Sequence, residues 1–366
     1  MEFQNHLSVV DCSIECCQEN KPKNGEDSYV RALNVVAGIV GVCDGCGGSG
    51  AKKYIRYLGR TGAYMASRAV SAAAKDWFYD FCDAKCADEH PAKSLQTKII
   101  QYLSICRDEG GEDSALKGFM SKDFPTTASI IVTWKKTEAL NVLCLWAGDS
   151  RCYMLSDEGL FQLTEDDLDI KDAMENLTAD GVLTNVITTS KDFKIHSKQI
   201  VVNKPCILFA ASDGCFGYFS TPMEFEYALL ETLQKAASVV EWEQLLKKRL
   251  VEVAGDDLSL YGYAYLYGSF KKLKGCFVQR EKHLFDQYIR IIKDAPLETK
   301  KQLWQSYRHD YSRYLYRATR KHAVDKPDDL SPVTSVCNGS TASETHDSIE
   351  PHENTTHGFR PPTELD

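Results

Sequence analysis

The chain has 366 residues, 43% of them hydrophobic, with a formal net charge of −9. That length allows one large domain or two, with ample apolar residues for a core. The acidic balance removes any global reason to expect nucleic acid, and no apolar run is long enough to span a bilayer.

The first residues lack the basic-then-apolar pattern of a secretory signal. The 14 cysteines, many inside apolar runs, therefore read as buried thiols of a cytoplasmic protein.

In chain order, residues 28–44 read as a hairpin. Its second half, 35–42, is almost continuously apolar, as in a strand covered on both faces, and it ends on Asp44. Gly47, Gly48 and Gly50 loosen the backbone before a helix expected over 52–81; a second helix is expected over 94–107, then an acidic, Gly-rich loop over 108–114. Strands are expected at 129–134 and 140–147, with 151–155 leading out of Gly148-Asp149-Ser150. Residues 157–200 are more polar and read as a flap-like insertion. Further strands are expected at 200–203, 206–211 and 258–266, with helices at 224–235 and 240–253. Strands alternating with helix pairs, without strict βαβ order, predict a layered α+β domain over 1–270.

Over 271–323 the chain turns basic and aromatic. Leu297, Trp304, Tyr307, Tyr311, Tyr314 and Ala318 recur at helical spacing and make one apolar face. A helix docked on its own domain is the first reading of this extension, and a partner-binding helix the second. Nucleic-acid binding through its basic residues is a weaker third. Residues 324–366 have the composition of a disordered acidic tail.

Four aspartates sit at the ends of apolar runs: Asp44, Asp149, Asp213 and Asp256, preceded by Glu26-Asp27. One Asp-Gly is ordinarily a turn. Several acidic corners that could meet at one end of a sheet offer hard oxygen ligands suited to Mg²⁺ or Mn²⁺, and so to metal-assisted chemistry on a phosphate or carbonyl. A neighbouring Gly, as at Gly45, lets a backbone carbonyl join the shell. Cys43-x-x-Cys46 has a zinc or redox spacing but no second pair to complete it.

The order of these segments also resembles a family. Asn24-Gly25-Glu26-Asp27, Val42-Cys43-Asp44-Gly45-Cys46-Gly47-Gly48, Thr126-Thr127-Ala128, Ala147-Gly148-Asp149-Ser150-Arg151, Leu163-Thr164-Glu165-Asp166-Asp167, Ala211-Ser212-Asp213-Gly214 and Asp256-Asp257-Leu258-Ser259 are similar to the successive motifs of the metal-dependent serine/threonine protein phosphatases of the 2C class, in their bacterial-type branch. The resemblance spans about 8–268. It implies an α-β-β-α sandwich of two antiparallel sheets. It implies hydrolysis of phosphoserine and phosphothreonine in phosphorylated protein substrates, by water that two Mn²⁺ or Mg²⁺ ions activate. By the family's positions, Asp44 bridges both ions, Asp213 and Asp256 complete one site, the Gly45 carbonyl joins the other, and Glu26 and Asp27 hold waters. Asp149, with Asp213, matches a weaker third ion.

Four departures bear on activity. Cys46 stands where the family often has a His proposed to protonate the leaving group; it is the candidate acid, although a thiol suits packing better. Pro22 falls near the family's phosphate-binding Arg, leaving Lys21 and Lys23 as candidate phosphate-binding cations without a bidentate fork. Gly217 replaces an acidic residue near the third site, and Asp257 replaces an Asn. The alternative to an active enzyme is a catalytically inactive, phosphatase-like signalling module.

Overall fold

Two five-stranded antiparallel sheets carry the fold. The computed structural model describes residues 5–110, 123–136, 139–179, 181–190 and 192–315. Within them, β1 (Val10–Gln18), β8 (Arg151–Ser156), β9 (Gly159–Gln162), β11 (Cys206–Ala211) and β12 (Leu258–Tyr265) form one sheet in the order β1-β12-β11-β8-β9. The other holds β2 (Ser28–Leu33), β3 (Ala37–Cys43), β6 (Ala128–Lys136), β7 (Ala139–Ala147) and β10 (His196–Val202) in the order β10-β7-β6-β3-β2.

Alternating side chains explain the layers. One set, including Val40, Val42, Ile131, Cys152, Leu208 and Tyr261, packs between the sheets. The opposite set meets helices. Ile39, Ile130 and Leu143 lie under α1 (Gly62–Asp83) and α2 (Pro91–Gly110). Ile207, Phe209 and Leu260 lie under α4 (Pro222–Lys235) and α5 (Val239–Val251). The α-β-β-α sandwich is therefore as expected, and β3 is buried along its whole length because both its faces are covered.

Three segments differ from expectation. The helix expected from residue 52 starts at Gly62. Before it, β4 (Lys53–Tyr54) and β5 (Arg60–Thr61) form a short ribbon around a 3₁₀ turn, Ile55–Tyr57. Leu58 (φ 54°) and Gly59 (φ 78°) take left-handed backbone, which no α-helix continues through. Tyr54 and Tyr57 anchor the ribbon in the core below α1 and α2. β1 was not foreseen at all. Finally, the 157–200 insertion begins and ends inside the sheets, since β9 pairs with β8 and β10 with β7, leaving 163–195 as the irregular part.

The C-terminal extension continues the first sheet's helical layer. α6 (Phe270–Cys276), α7 (Val278–Leu284), a π turn at Phe285–Ile289, α8 (Arg290–Ile292) and α9 (Leu297–Tyr311) place Leu273, Phe277, Leu284, Trp304, Tyr307 and Tyr311 in the same core cluster as α4 and α5. Of the expected apolar face, Trp304, Tyr307 and Tyr311 are docked there, Tyr314 packs against the core between the sheets, Leu297 is exposed, and Ala318 lies outside the described residues. Residues 316–323, the 324–366 tail, and 111–114 of the acidic loop lie outside the described residues.

A buried ion pair fixes this layer. The Glu226 side chain on α4 is fully buried. It accepts from Arg280 Nε (2.7 Å) and Nη2 (2.8 Å) on α7, and from the Tyr307 hydroxyl on α9. Removing one partner of such a pair leaves an uncompensated charge in the interior. Arg280→Ala is expected to lower unfolding free energy by about 3–5 kcal/mol in urea titrations. A loss below about 1 kcal/mol, the worth of an exposed pair, would show that the contact is not structural.

Candidate functional site

Antiparallel register decides where strand ends fall. Ser28 pairs with Cys43, Ala128 with Ala147, Ala211 with both Arg151 and Leu260, and Gln18 with Leu258. Asp27, Asp44, Asp149, Asp213 and Asp256 each lie one or two residues beyond these pairs, so all leave their sheets at the same end. Contacts between the sheets close the gap. Ser212 Oγ donates to Asp27 Oδ2 (2.9 Å), and the Thr127 and Ser150 hydroxyls meet at 2.7 Å; the Asp213 carboxyl comes near enough to raise the cost of charging Asp44.

The backbone beneath each acid is pinned. The Asp44 carbonyl accepts from Thr127 N (2.8 Å) and Thr126 Oγ1 (2.7 Å). Ser212 and Ser259 exchange two hydrogen bonds, of 2.9 and 3.0 Å, which ties the Asp213 corner to the start of β12. A Cβ on Gly214 would stand 1.9 Å from the Asp257 carbonyl oxygen, so only Gly lets α3 (Asp213–Phe216) close on that loop. Gly45 is similarly hemmed in by the Glu26 and Ala63 carbonyls, each 2.8 Å from where its Cβ would be. Asp257 orders Glu26 from behind, accepting from Asn20 N (2.7 Å) and Glu26 N (2.6 Å). Thr61 donates to the Glu26 carboxylate.

These acids crowd one another. Burial, then Asp27 and Asp213, push the Asp44 carboxyl well above the usual carboxylate range. Burial also raises Asp213, although its hydrogen bond with Asp44 opposes the shift. Burial lifts Asp27 to about 8 against hydrogen bonds from Ser259 and Ser212, and lifts Asp149 to about 8 with help from Asp213. Burial raises Glu26 too. Burial and crowding thus favour a bound proton at Asp44, and a cation would do the same neutralising work.

Among the described residues, no three His, Cys, Asp or Glu side chains form a ready-made metal-binding group. Two facing carboxylates, nearby acids and a close Gly carbonyl are nonetheless the donor chemistry of Mg²⁺ or Mn²⁺, which keep several waters as ligands.

Two cavities divide the candidates. A cleft of about 590 Å³ is lined by Glu26, Asp44, Gly45 and Asp256, and also by Lys21, Lys53 and Arg60. A second, of about 360 Å³, is lined by Asp149, Arg151, Asp166, Asp213, Gly217 and Tyr218 among others. Of the two expected phosphate-binding lysines, Lys21 lines the cleft, whereas Lys23 is turned into a left-handed backbone (φ 65°) whose carbonyl accepts from Arg60. Cys46 is not among the lining residues, although Gly45 and Gly47 beside it are.

Arg60 and Lys53 were missed in the sequence. Arg60 stacks over Tyr64 at 4.4 Å, which holds its guanidinium at the cleft. Only the ribbon's fold brings it there; the one sequence signal was Gly59, a break in an otherwise helical pattern.

Comparisons with known proteins agree with this architecture. The sequence pattern described as "Protein phosphatase 2C" matches residues 20–253. A substituted form of a bacterial serine phosphatase is 18% identical over 70% of this chain and 98% of its own, with a TM-score of 0.50. The serine/threonine phosphatase Stp1 from Staphylococcus aureus is 16% identical over 72% and 97%, also at 0.50. The catalytic domain of the serine threonine protein phosphatase PstP, in complex with 2 manganese ions, is 16% identical over 70% and 99%, at 0.47. At these identities the likeness is one of fold. No curated protein matches the sequence.

Asp167 holds the Asp149 turn in place. It accepts from Gly148 N (3.0 Å), Asn185 Nδ2 (2.7 Å) and His196 Nε2 (3.0 Å). Burial works to raise its carboxyl, but these bonds, His196 first, outweigh burial and hold it below the usual value. A depressed folded-state pKa adds stability above the unfolded value near 4, lost as pH falls through the lower folded value. Asp167→Asn is therefore expected to cost about 1–3 kcal/mol in urea unfolding at pH 7 and much less at pH 3. An equal deficit at both pH values would refute this account.

Proposed function

Since this chain belongs to the protein phosphatase 2C family, we propose that it hydrolyses phosphoserine and phosphothreonine esters of proteins with the help of two divalent cations, Mn²⁺ or Mg²⁺. The observation that carries this reading is the convergence of acidic strand ends from both sheets, Asp44 from one and Asp213 from the other, at a place where contacts such as Ser212 to Asp27 join the sheets. Asp44, Asp213 and Asp256, with the Gly45 carbonyl, would hold the ions, and Asp149 a weaker third. Such ions, when bound, neutralise phosphate oxygens and acidify water.

The chain's own residues do the rest. Glu26, steadied by Thr61 and Asp257, and Asp27, steadied by Ser212, accept hydrogen bonds from the attacking water. Arg60 takes the phosphate oxygens from the ribbon side of the cleft, the role first assigned to Lys21 and Lys23; Lys21 adds charge beside it. Cys46 packs rather than donates a proton. Buried thiols such as Cys16, Cys43, Cys106 and Cys206 suit a reducing cytoplasm, where we place the protein.

A second reading keeps the fold without the chemistry: a phosphoprotein-binding module. Cys46, Pro22 and Gly217, the departures from the family's pattern, favour it, together with the basic aromatic extension. Calorimetry separates the two, because such a module binds a phosphopeptide yet takes up no pair of Mn²⁺ ions.

Turnover of p-nitrophenyl phosphate is expected with Mn²⁺ and not with EDTA. Asp44→Asn and Asp213→Asn should each lower kcat about 100-fold or more. Metal-independent turnover, or full activity in both variants, would overturn the proposal. Arg60→Ala should raise KM about tenfold, and Arg60→Lys less, since Lys offers no fork; an unchanged KM would remove Arg60 from the site.

A further inference from the structure

The polar segment between β9 and β10 is held by a helix more than a hundred residues later. Asp172 is the link. Its Oδ1 accepts from Met174 N (2.9 Å) and Glu175 N (3.2 Å), which ties down the backbone entering the 3₁₀ turn Glu175–Leu177. The same carboxylate accepts from Trp304 Nε1 (2.9 and 3.0 Å to its two oxygens) and from Arg308 Nη1 (3.0 Å), both on α9. The residues that follow, Asn176 to Ala179, line the second cavity with Asp149, Arg151 and Asp213.

α9 reaches that cavity again from behind. The Tyr311 hydroxyl lies 3.4 Å from Arg151 Nη1 and 3.1 Å from the Tyr153 hydroxyl. Arg151 in turn forks Asp166, with Nη2 2.6 Å from Oδ2. One wall and the floor of the cavity are thus both fixed by one helix. The seam between segment and helix is not fused, because a cavity of about 100 Å³ remains between Glu175 and Thr178 on one side and Lys301 and Trp304 on the other.

The cavity adjoins the Asp44–Asp213 pair, holds about 360 Å³, and mixes Leu168, Leu177 and Tyr218 with polar groups. That mixed apolar and polar lining, beside the proposed cleavage site, suits the polypeptide flanking the phosphorylated residue better than a second phosphate. We propose that α9, through Trp304, Arg308 and Asp172, positions the wall of a substrate-peptide cavity, so that the C-terminal helices govern recognition of phosphoproteins and leave the ester-cleaving step alone. Trp304, Arg308 and Asp172 are positioning residues in this scheme, and the scheme rests on the phosphatase reading above.

The test uses the full chain with Mn²⁺, as wild type, Arg308→Ala, Trp304→Phe and Arg308→Lys. Arg308 is partly exposed, so both its variants should fold; Trp304→Phe also shrinks a buried ring, so its unfolding midpoint is measured alongside and the Arg308 pair decides if it falls. KM for a phosphothreonine peptide is expected to rise about fivefold in the first two variants and to recover in Arg308→Lys. Kinetic constants for p-nitrophenyl phosphate should not change. Equal effects on both substrates, or none on either, would overturn the proposal. Hydrogen exchange gives a readout independent of turnover: amides of 174–179 should exchange faster in Arg308→Ala while those of α1 do not. Unchanged exchange defeats the clamp whether or not the protein is active. A wild type without Mn²⁺-dependent turnover defeats the phosphatase reading instead, and the exchange result then decides the clamp alone.

Discussion

Like charges do not gather by themselves; something stiffer must hold them. Here the stiff element is the hydrogen-bonded register of two stacked antiparallel sheets, whose ends deliver acidic corners to one place. The repulsion among them appears as carboxyl groups that cling to protons well above their ordinary range. A fold can sustain that cost only when the backbone at each corner is over-determined. The pinned Asp44 carbonyl, the Ser212–Ser259 exchange and the close fit of Gly214 against Asp257 do this. The arrangement stores electrostatic strain, which the proposed cations would relieve.

The second organising feature is a division of labour between layers. The α1–α2 side supplies the ribbon with Arg60 and Tyr64, and so the cationic lip of the first cleft. The α4–α5 side and the C-terminal helices back the second cavity through Arg151 and Asp172. The acids sit at the junction, with Asp44 facing one cavity and Asp213 the other.

What the sequence disclosed follows from the range of each signal. The 35–42 run was legible as a doubly covered strand because its composition is local, and β3 is buried throughout. The acidic corners were legible because each lies next to a strand. β1 was missed although Val10, Cys12, Ile14 and Cys16 alternate with Asp11, Ser13 and Glu15; the cysteines hid an ordinary period-two pattern. Residues 53–61 continued the character of α1 in sequence, and only left-handed backbone at Leu58 and Gly59 separates them. Asp257 looked like surplus charge, yet it braces two backbone N–H groups more than 200 positions away. Nothing near Glu226 in the sequence points to Arg280 as its partner. Contacts of that sequence separation leave no local trace, so long-range polar partners are where a reading of composition and period stops.

The first sheet has an awkward order of arrival. β1, at the sheet edge, pairs with β12, and β12 also supplies the other side of β11. A ribosome makes the first of these strands almost 250 positions before the second. Through most of synthesis the nascent chain therefore carries β1 with an open edge, whereas β11 and Glu226 wait only about fifty residues for β12 and Arg280. Closure of this sheet waits for β12 to clear the exit tunnel, which makes it a late step of co-translational folding and leaves the β1 edge open to holding chaperones until then.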